Sequence, residues 1–203
     1  PQQNSGFYPQ LVNRTMASRY ALLINSLLIL VAADVVNTIL HESAHYVTAL
    51  YFGLSPELHH NYVSYPDEGI PDGQRTMVAG AGPLFSLLFG ALMLLIARQL
   101  RPSLTHLLTM WLGLVGMVTC LGYLLIAPIA REGDTGKVFA YFGIPPLVAV
   151  SIAVVSFGLI YKLFNYYGRY FTLYSGSEIP NPGNTLQQAI IYPTFGSIVV
   201  GTL

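Results

Sequence analysis

Charge is scarce in this sequence: Asp, Glu, Lys and Arg make up 9% of the 203 residues, against about 25% in an ordinary soluble domain. Nine basic residues balance nine acidic ones, so there is no basic field to attract nucleic acid and no basic amphipathic surface helix. A nucleic-acid partner is excluded on that ground. Cysteine is nearly absent as well. The single Cys120 allows neither an internal disulfide framework nor a cysteine zinc site, and its apolar surroundings suit a small buried hydrophobe. The first twenty residues lack the basic start, short apolar core and small-residue cleavage site of a signal peptide, so targeting is expected to rest on the later apolar segments. Asn13-Arg14-Thr15 fits a glycosylation sequon, but triplets of this kind arise by chance and this one abuts an apolar run.

What the chain has is hydrophobicity, at 53% of residues. Crossing a hydrocarbon core of about 30 Å takes about 20 apolar helical residues. Four stretches meet or approach that length, about 20–53, 76–97, 104–130 and 145–164. The expected fold is therefore an all-α polytopic membrane protein with about four transmembrane helices, integral to the bilayer. Residues 1–19 form an N-terminal segment and 20–164 the membrane core. Residues 165–203 read as an interfacial segment with a short fifth or re-entrant helix, in which Tyr166, Tyr167, Tyr170 and Tyr174 suit an aromatic belt. The first stretch is too long for one straight crossing and is expected to tilt, bend or leave the membrane near its end. After it comes a Pro-, Gly- and acid-rich loop in which "HHNYVSY" reads as a short strand of a hairpin. With four crossings, Arg14, Arg19, Arg98, Arg101, Lys162 and Arg169 fall on one side and Arg75, Arg131 and Lys137 on the other. The positive-inside rule makes the first side cytoplasmic.

The first apolar stretch carries "HESAH". His41 and His45 are separated by about 400° of helical rotation and about 6 Å of rise, so both imidazoles leave one face and can share one metal ion. Catalytic zinc takes three protein ligands and keeps a fourth position for water. Glu42, beside the pair, is the carboxylate that can take a proton from that water and deliver it to a leaving amine. Asp34 and Asn37 lie seven and four residues earlier, placed to hydrogen-bond a ligand imidazole. Ionisable groups cost about 2.5–3.5 kcal/mol each at mid-membrane, and a bound dication is the simplest compensation. A packed polar network between helices is the alternative.

A third ligand must come from elsewhere. "REGDTGK" after the third stretch holds Glu132 and Asp134 beside two glycines. With the second and third spans forming a hairpin, this turn returns to the membrane side where the first helix ends. Asp134 is the preferred ligand. Glu132, Glu178 and His59 or His60 remain alternatives, and Asp134 can instead cap a helix starting near Thr135.

His-Glu-x-x-His in a membrane helix, "AGAGPLFSLL" opening the next span and an Asp-Gly-like turn before a later one together resemble the site-2 protease family of intramembrane zinc metalloproteases, over roughly residues 30–145. The resemblance implies His41, His45 and Asp134 as ligands of one zinc and Glu42 as the catalytic acid/base. Two positions depart from the family pattern. Ser86 stands three residues after Pro83 where members often carry Asn, and the Asp-Gly pair is opened to Asp134-Thr135-Gly136. Pro83 and Ser86 are thus candidates for substrate binding or ligand support, while Gly80, Ala81 and Gly82 equally suit close helix packing. Many relatives also face the cytosol with their active site, opposite to the side indicated by the basic residues.

The expected activity is hydrolysis of peptide bonds in or near the transmembrane segment of a protein substrate, with the bilayer as the other partner. Such a segment must unwind locally, because its backbone groups are already paired, and the "HHNYVSY" strand offers an edge on which to hold it. Two further classes fit less of the sequence. A metal transporter would carry ionisable residues on several spans, and a silent scaffold leaves Glu42 without a purpose. His106 has no sequence partner and reads as an interfacial histidine.

Overall fold

The computed structural model describes residues 7–66 and 68–171. In chain order these form α1 (Phe7–Tyr51), β1 (Glu57–Leu58), β2 (Val63–Ser64), α2 (Asp72–Ala97), α3 (Leu104–Ile126), α4 (Asp134–Tyr141) and α5 (Pro146–Phe171). Four helices are long and apolar enough to cross a membrane, over Ile24–Tyr51, Asp72–Ala97, Leu104–Ile126 and Pro146–Gly168. The protein is an all-α, multi-pass integral membrane protein with one small hairpin.

Local chemistry sets the ends of these elements. From Phe7 to Tyr51 there is no glycine, and the one proline, Pro9, lies in the first turn, where it is tolerated. α1 therefore runs unbroken until Gly53, which takes φ 74°. There the Gly53 N–H donates to the Leu50 carbonyl (2.9 Å) and the Leu54 N–H to Ala49 (3.1 Å), the paired closure that glycine permits at a helix end. α3 starts at an N-cap, with the Ser103 side chain accepting from the His106 N–H, and stops at Ile126, two residues before Pro128. That is why the third span falls short of residue 130. Pro146 opens α5, the position where its missing N–H costs nothing. α5 continues through Phe171, so residues 165–171 are its last turns. The fifth or re-entrant helix and Tyr174 lie outside the described residues. "HHNYVSY" is not one strand either. Leu58 pairs with Val63 and Glu57 with Ser64, leaving His59 to Tyr62 in the turn.

α2 and α3 pack backbone to backbone. A Cβ on Gly90 would stand 2.6 Å from the Met117 nitrogen and 2.9 Å from the Gly113 oxygen, and one on Gly116 would stand 2.7 Å from the Ser86 oxygen. Close approach through small residues is how apolar helices associate when lipid and side chains are equally greasy. α1 and α3 are joined by polar contacts instead. Trp111 Nε1–H donates to Ser26 Oγ (3.0 Å), and Asn37 Nδ2–H donates to Thr119 Oγ1 (2.9 Å). Around Trp111 the apolar core collects Leu30, Ala33, Leu94, Leu107, Met110 and Leu114. Arg98 lies at this end, stacked over Tyr166 at 5.7 Å and donating to Tyr167 Oη at 3.4 Å, in keeping with an interfacial belt.

Gly90→Val is expected to lower the thermal midpoint in detergent, with a cost of about 1–3 kcal/mol or more for overpacking against backbone. Gly122→Ala is the control, since its new Cβ meets nothing within 4 Å, and it should leave the midpoint unchanged.

Candidate metal centre

The helical spacing of His41 and His45 brings their Nε2 atoms to 3.1 Å from each other. Asp134 Oδ2 lies 3.3 Å from each of them. These three donors form a nearly equilateral triangle, and together they can hold a metal ion. Both histidines are buried, at 3% and 6% exposure. Each ring is fixed from behind. His45 Nδ1 lies 2.6 Å from the Val78 carbonyl, and a carbonyl only accepts, so Nδ1 carries the proton and the Nε2 lone pair points into the triangle. His41 Nδ1 lies 3.0 Å from Ser86 Oγ, a hydroxyl that can accept a hydrogen bond from it and leave Nε2 facing the triangle. Orientation of ligand imidazoles through their second nitrogen is a general property of metal sites.

α2 supplies this backing because of two residues. Pro83, inside the helix, has no N–H to offer the carbonyl four residues earlier, Ala79, and loosens the ladder beside Val78. Gly82 leaves the room. A Cβ there would lie 2.6 Å from His41 Nε2 and closer still to His45 Nε2, filling the space onto which the ligand atoms face. Gly80 differs, since its Cβ would meet only Val138 at 3.6 Å.

Asp134 is the first residue of α4, and Gly133 before it is the N-cap without any side-chain capping bond. The carboxylate is therefore free to turn to the histidines. Its Oδ2 faces the Nε2 atoms of both histidines at 3.3 Å, the position from which an ionised carboxylate serves as a metal ligand. Thr135 Oγ1–H donates to the Tyr123 carbonyl (2.7 Å), which ties the turn to the end of α3. In Gly136 a Cβ would run into the Ala130 and Arg131 carbonyls, so the opened Asp-Thr-Gly still needs its glycine.

Glu42 is buried at 8% exposure and borders a cavity of about 280 Å³ together with His45, Asp134, Tyr62, Tyr65, Tyr123 and Lys137. Asn61, Tyr62 and Val63 of the hairpin also line it. Tyr123 stacks on the His41 ring at 5.3 Å and 11° and shares the cavity wall with Asp134.

Several expected roles change. Asp34 is exposed on α1 and Asn37 bonds Thr119, with its Oδ1 buried and unpartnered. The support expected of them comes from Val78 and Ser86 on α2, because α2 is the nearer helix at the height of the imidazoles. Among the alternative third ligands, Glu132 is exposed and His59 stacks on Tyr62 at 4.2 Å. Neither they nor His60 join the metal-holding group, and Glu178 lies outside the described residues. His106 is buried in the first turn of α3, at the opposite end of that helix from Tyr123. Tyr123 and Lys137 were not legible as site residues: each is an ordinary residue type with no spacing to mark it.

No family model, curated protein or solved structure matches the chain.

Gly82→Ala should strip the metal from purified protein, since its methyl competes with the ion for one space, whereas Gly80→Ala should retain it. Metal content per chain by atomic absorption checks both, and metal bound at full stoichiometry in Gly82→Ala would contradict this geometry.

Proposed function

We propose that this protein is a membrane-embedded zinc metallopeptidase that hydrolyses a peptide bond in or near the transmembrane segment of a protein substrate, as the resemblance to the site-2 protease family implies. The observation that carries the reading is the triangle of His41, His45 and Asp134 donors with Glu42 on the wall of the adjoining cavity. Zinc ligands at about 2.0–2.1 Å in tetrahedral directions stand about 3.3–3.4 Å apart, and the donors here stand 3.1–3.3 Å apart. Two neutral imidazoles and a carboxylate also make a donor set that zinc accepts while one position stays open. Bound there, zinc would supply Lewis-acid polarisation of the scissile carbonyl and acidify a water molecule.

The chain's own residues do the rest. Glu42 accepts the proton of a water attacking the carbonyl carbon, and returns it to the departing amine nitrogen as the carbon–nitrogen bond breaks. Tyr123, stacked on the His41 ring, keeps that imidazole from turning away from the triangle. The hairpin roofs the cavity, and its residues 61–63 can hold an unwound stretch of substrate by backbone pairing. Local unwinding is required because a helical substrate bond has its carbonyl and amide already engaged.

Ion transport calls for ligands spaced across the bilayer. Among the described residues His41, His45 and Asp134 are the one group of three metal-type side chains, which favours a fixed site.

Glu42→Gln should keep about one zinc per chain and lower hydrolysis of a membrane-anchored peptide by about 10²–10⁴-fold, the range for loss of a general base. The test is cleavage in detergent micelles by mass spectrometry beside zinc analysis of the same preparation. Undiminished cleavage by Glu42→Gln would overturn the assignment.

A further inference from the structure

A second cavity, of about 500 Å³, adjoins the metal cleft and shares Tyr65 and Lys137 with it. Its charged lining is Arg75, Arg131 and Lys137 against Asp72 and Glu132. Arg131 and Lys137 are exposed, and among the described residues neither forms an ion pair. The two acids do not cancel the three cations toward a ligand. Asp72 sits in the first turn of α2, where the unpaired N–H groups and the positive helix end already face it. Glu132 is exposed like Arg131 and Lys137, and the lining carries three cations against two acids. Lys137 lies on α4 three residues after Asp134, so its ammonium borders both the vestibule and the cavity that holds Glu42.

We propose that this vestibule is a carboxylate-binding subsite, which selects polypeptides that present a carboxylate just outside the membrane, within a few residues of the bond to be cut. The inference rests on the peptidase reading above and adds the substrate class to it. Arg131 and Lys137 supply charge-assisted donors to the carboxylate, and Arg75, from the first turn of α2, adds a third positive charge. The vestibule's place beside α4 and the start of α2, both at the membrane boundary, puts it on the path by which an unwound segment would leave the bilayer. The carboxylate can belong to an acidic side chain or to the end of the chain, and the two chemistries are alike at this site.

The test uses direct binding, so that it does not depend on turnover. Zinc-loaded Glu42→Gln protein in micelles is titrated with dye-labelled synthetic transmembrane peptides, read by fluorescence anisotropy. One series moves a single Glu, Gln or Lys through the six residues flanking the apolar stretch, with an amidated C-terminus. A second places a free C-terminal carboxylate at the same six positions. The Glu peptide should bind about tenfold more tightly than Gln at one or two positions, the low end for charge-assisted bonds because the cations are exposed. That ratio should fall to about one in Arg131→Gln/Lys137→Gln, and should shrink as salt shortens the Debye length from about 10 Å at 0.1 M to about 3 Å at 1 M. Preference confined to the second series would assign the site to a chain terminus, preference in the first to a side chain. Equal binding of Glu, Gln and Lys peptides with no gain from a free terminus, no binding of any peptide, or a preference that survives the double substitution would each overturn the proposal. Wild-type hydrolysis is scored separately. A Glu preference without any cleavage would retain the subsite and defeat the peptidase reading, and cleavage without a carboxylate preference would do the reverse.

Discussion

The site depends on how closely α2 can approach α1 at Gly82. A hydrogen in place of a side chain lets two imidazoles point at the α2 backbone and find there the Val78 carbonyl and the Ser86 hydroxyl. In a membrane interior an unpaired imidazole N–H is costly, since no water replaces the missing partner. The same contact therefore satisfies the rings and aims them. α3 follows from the second close approach, at Gly90, Gly113 and Gly116, which sets the height at which Tyr123 meets His41 and at which the following turn returns Asp134. Two sets of glycines, on two helix pairs, thus bring donors from widely separated parts of the sequence into one triangle.

Polarity in this protein is concentrated. The outward faces of α1, α2 and α5 carry exposed apolar residues such as Leu28, Ile39, Leu88, Leu92, Val154 and Phe157, as a lipid-facing surface should. His41, Glu42 and His45 are buried near one end of the bundle, beside a hairpin and a short helix that bring water-soluble residues up to the cavity. This arrangement answers why a His-Glu-x-x-His motif occurs in an apolar run: the histidines face inward across a span whose other side is greasy. Asp34 is the exception, an exposed carboxyl on α1 to which the structure gives no hydrogen-bond or ion-pair partner among the described residues.

Much of the fold was legible from hydrophobic length alone. Four apolar stretches became four long helices; α1 and α2 start earlier and α5 runs on to Phe171, while Pro128, Pro146 and Gly53 mark ends that local chemistry sets. The His41 and His45 pair was legible because helical periodicity fixes which face a residue occupies whatever surrounds it. Asp134 was harder, because its role depends on a turn whose direction is set by Thr135 bonding the Tyr123 carbonyl. Gly82 looked like a packing glycine in the sequence, and it is one; that its neighbours are the two imidazole Nε2 atoms is a tertiary fact. Asp34 and Asn37 were assigned to the imidazoles by shared face along α1, and the assignment failed because the nearer hydrogen-bonding groups belong to α2. Periodicity orders residues along one helix and says nothing of which neighbour stands opposite.

The central claim is that His41, His45 and Asp134 hold one zinc ion with an open fourth position. X-ray absorption spectroscopy at the zinc edge, on purified full chain in detergent with zinc per chain counted on the same sample, tests it most directly. The account predicts about one zinc bound by two imidazoles and light oxygen donors at about 2.0–2.1 Å. A folded protein that takes up no zinc, or a zinc shell lacking the two-imidazole signature, would contradict it.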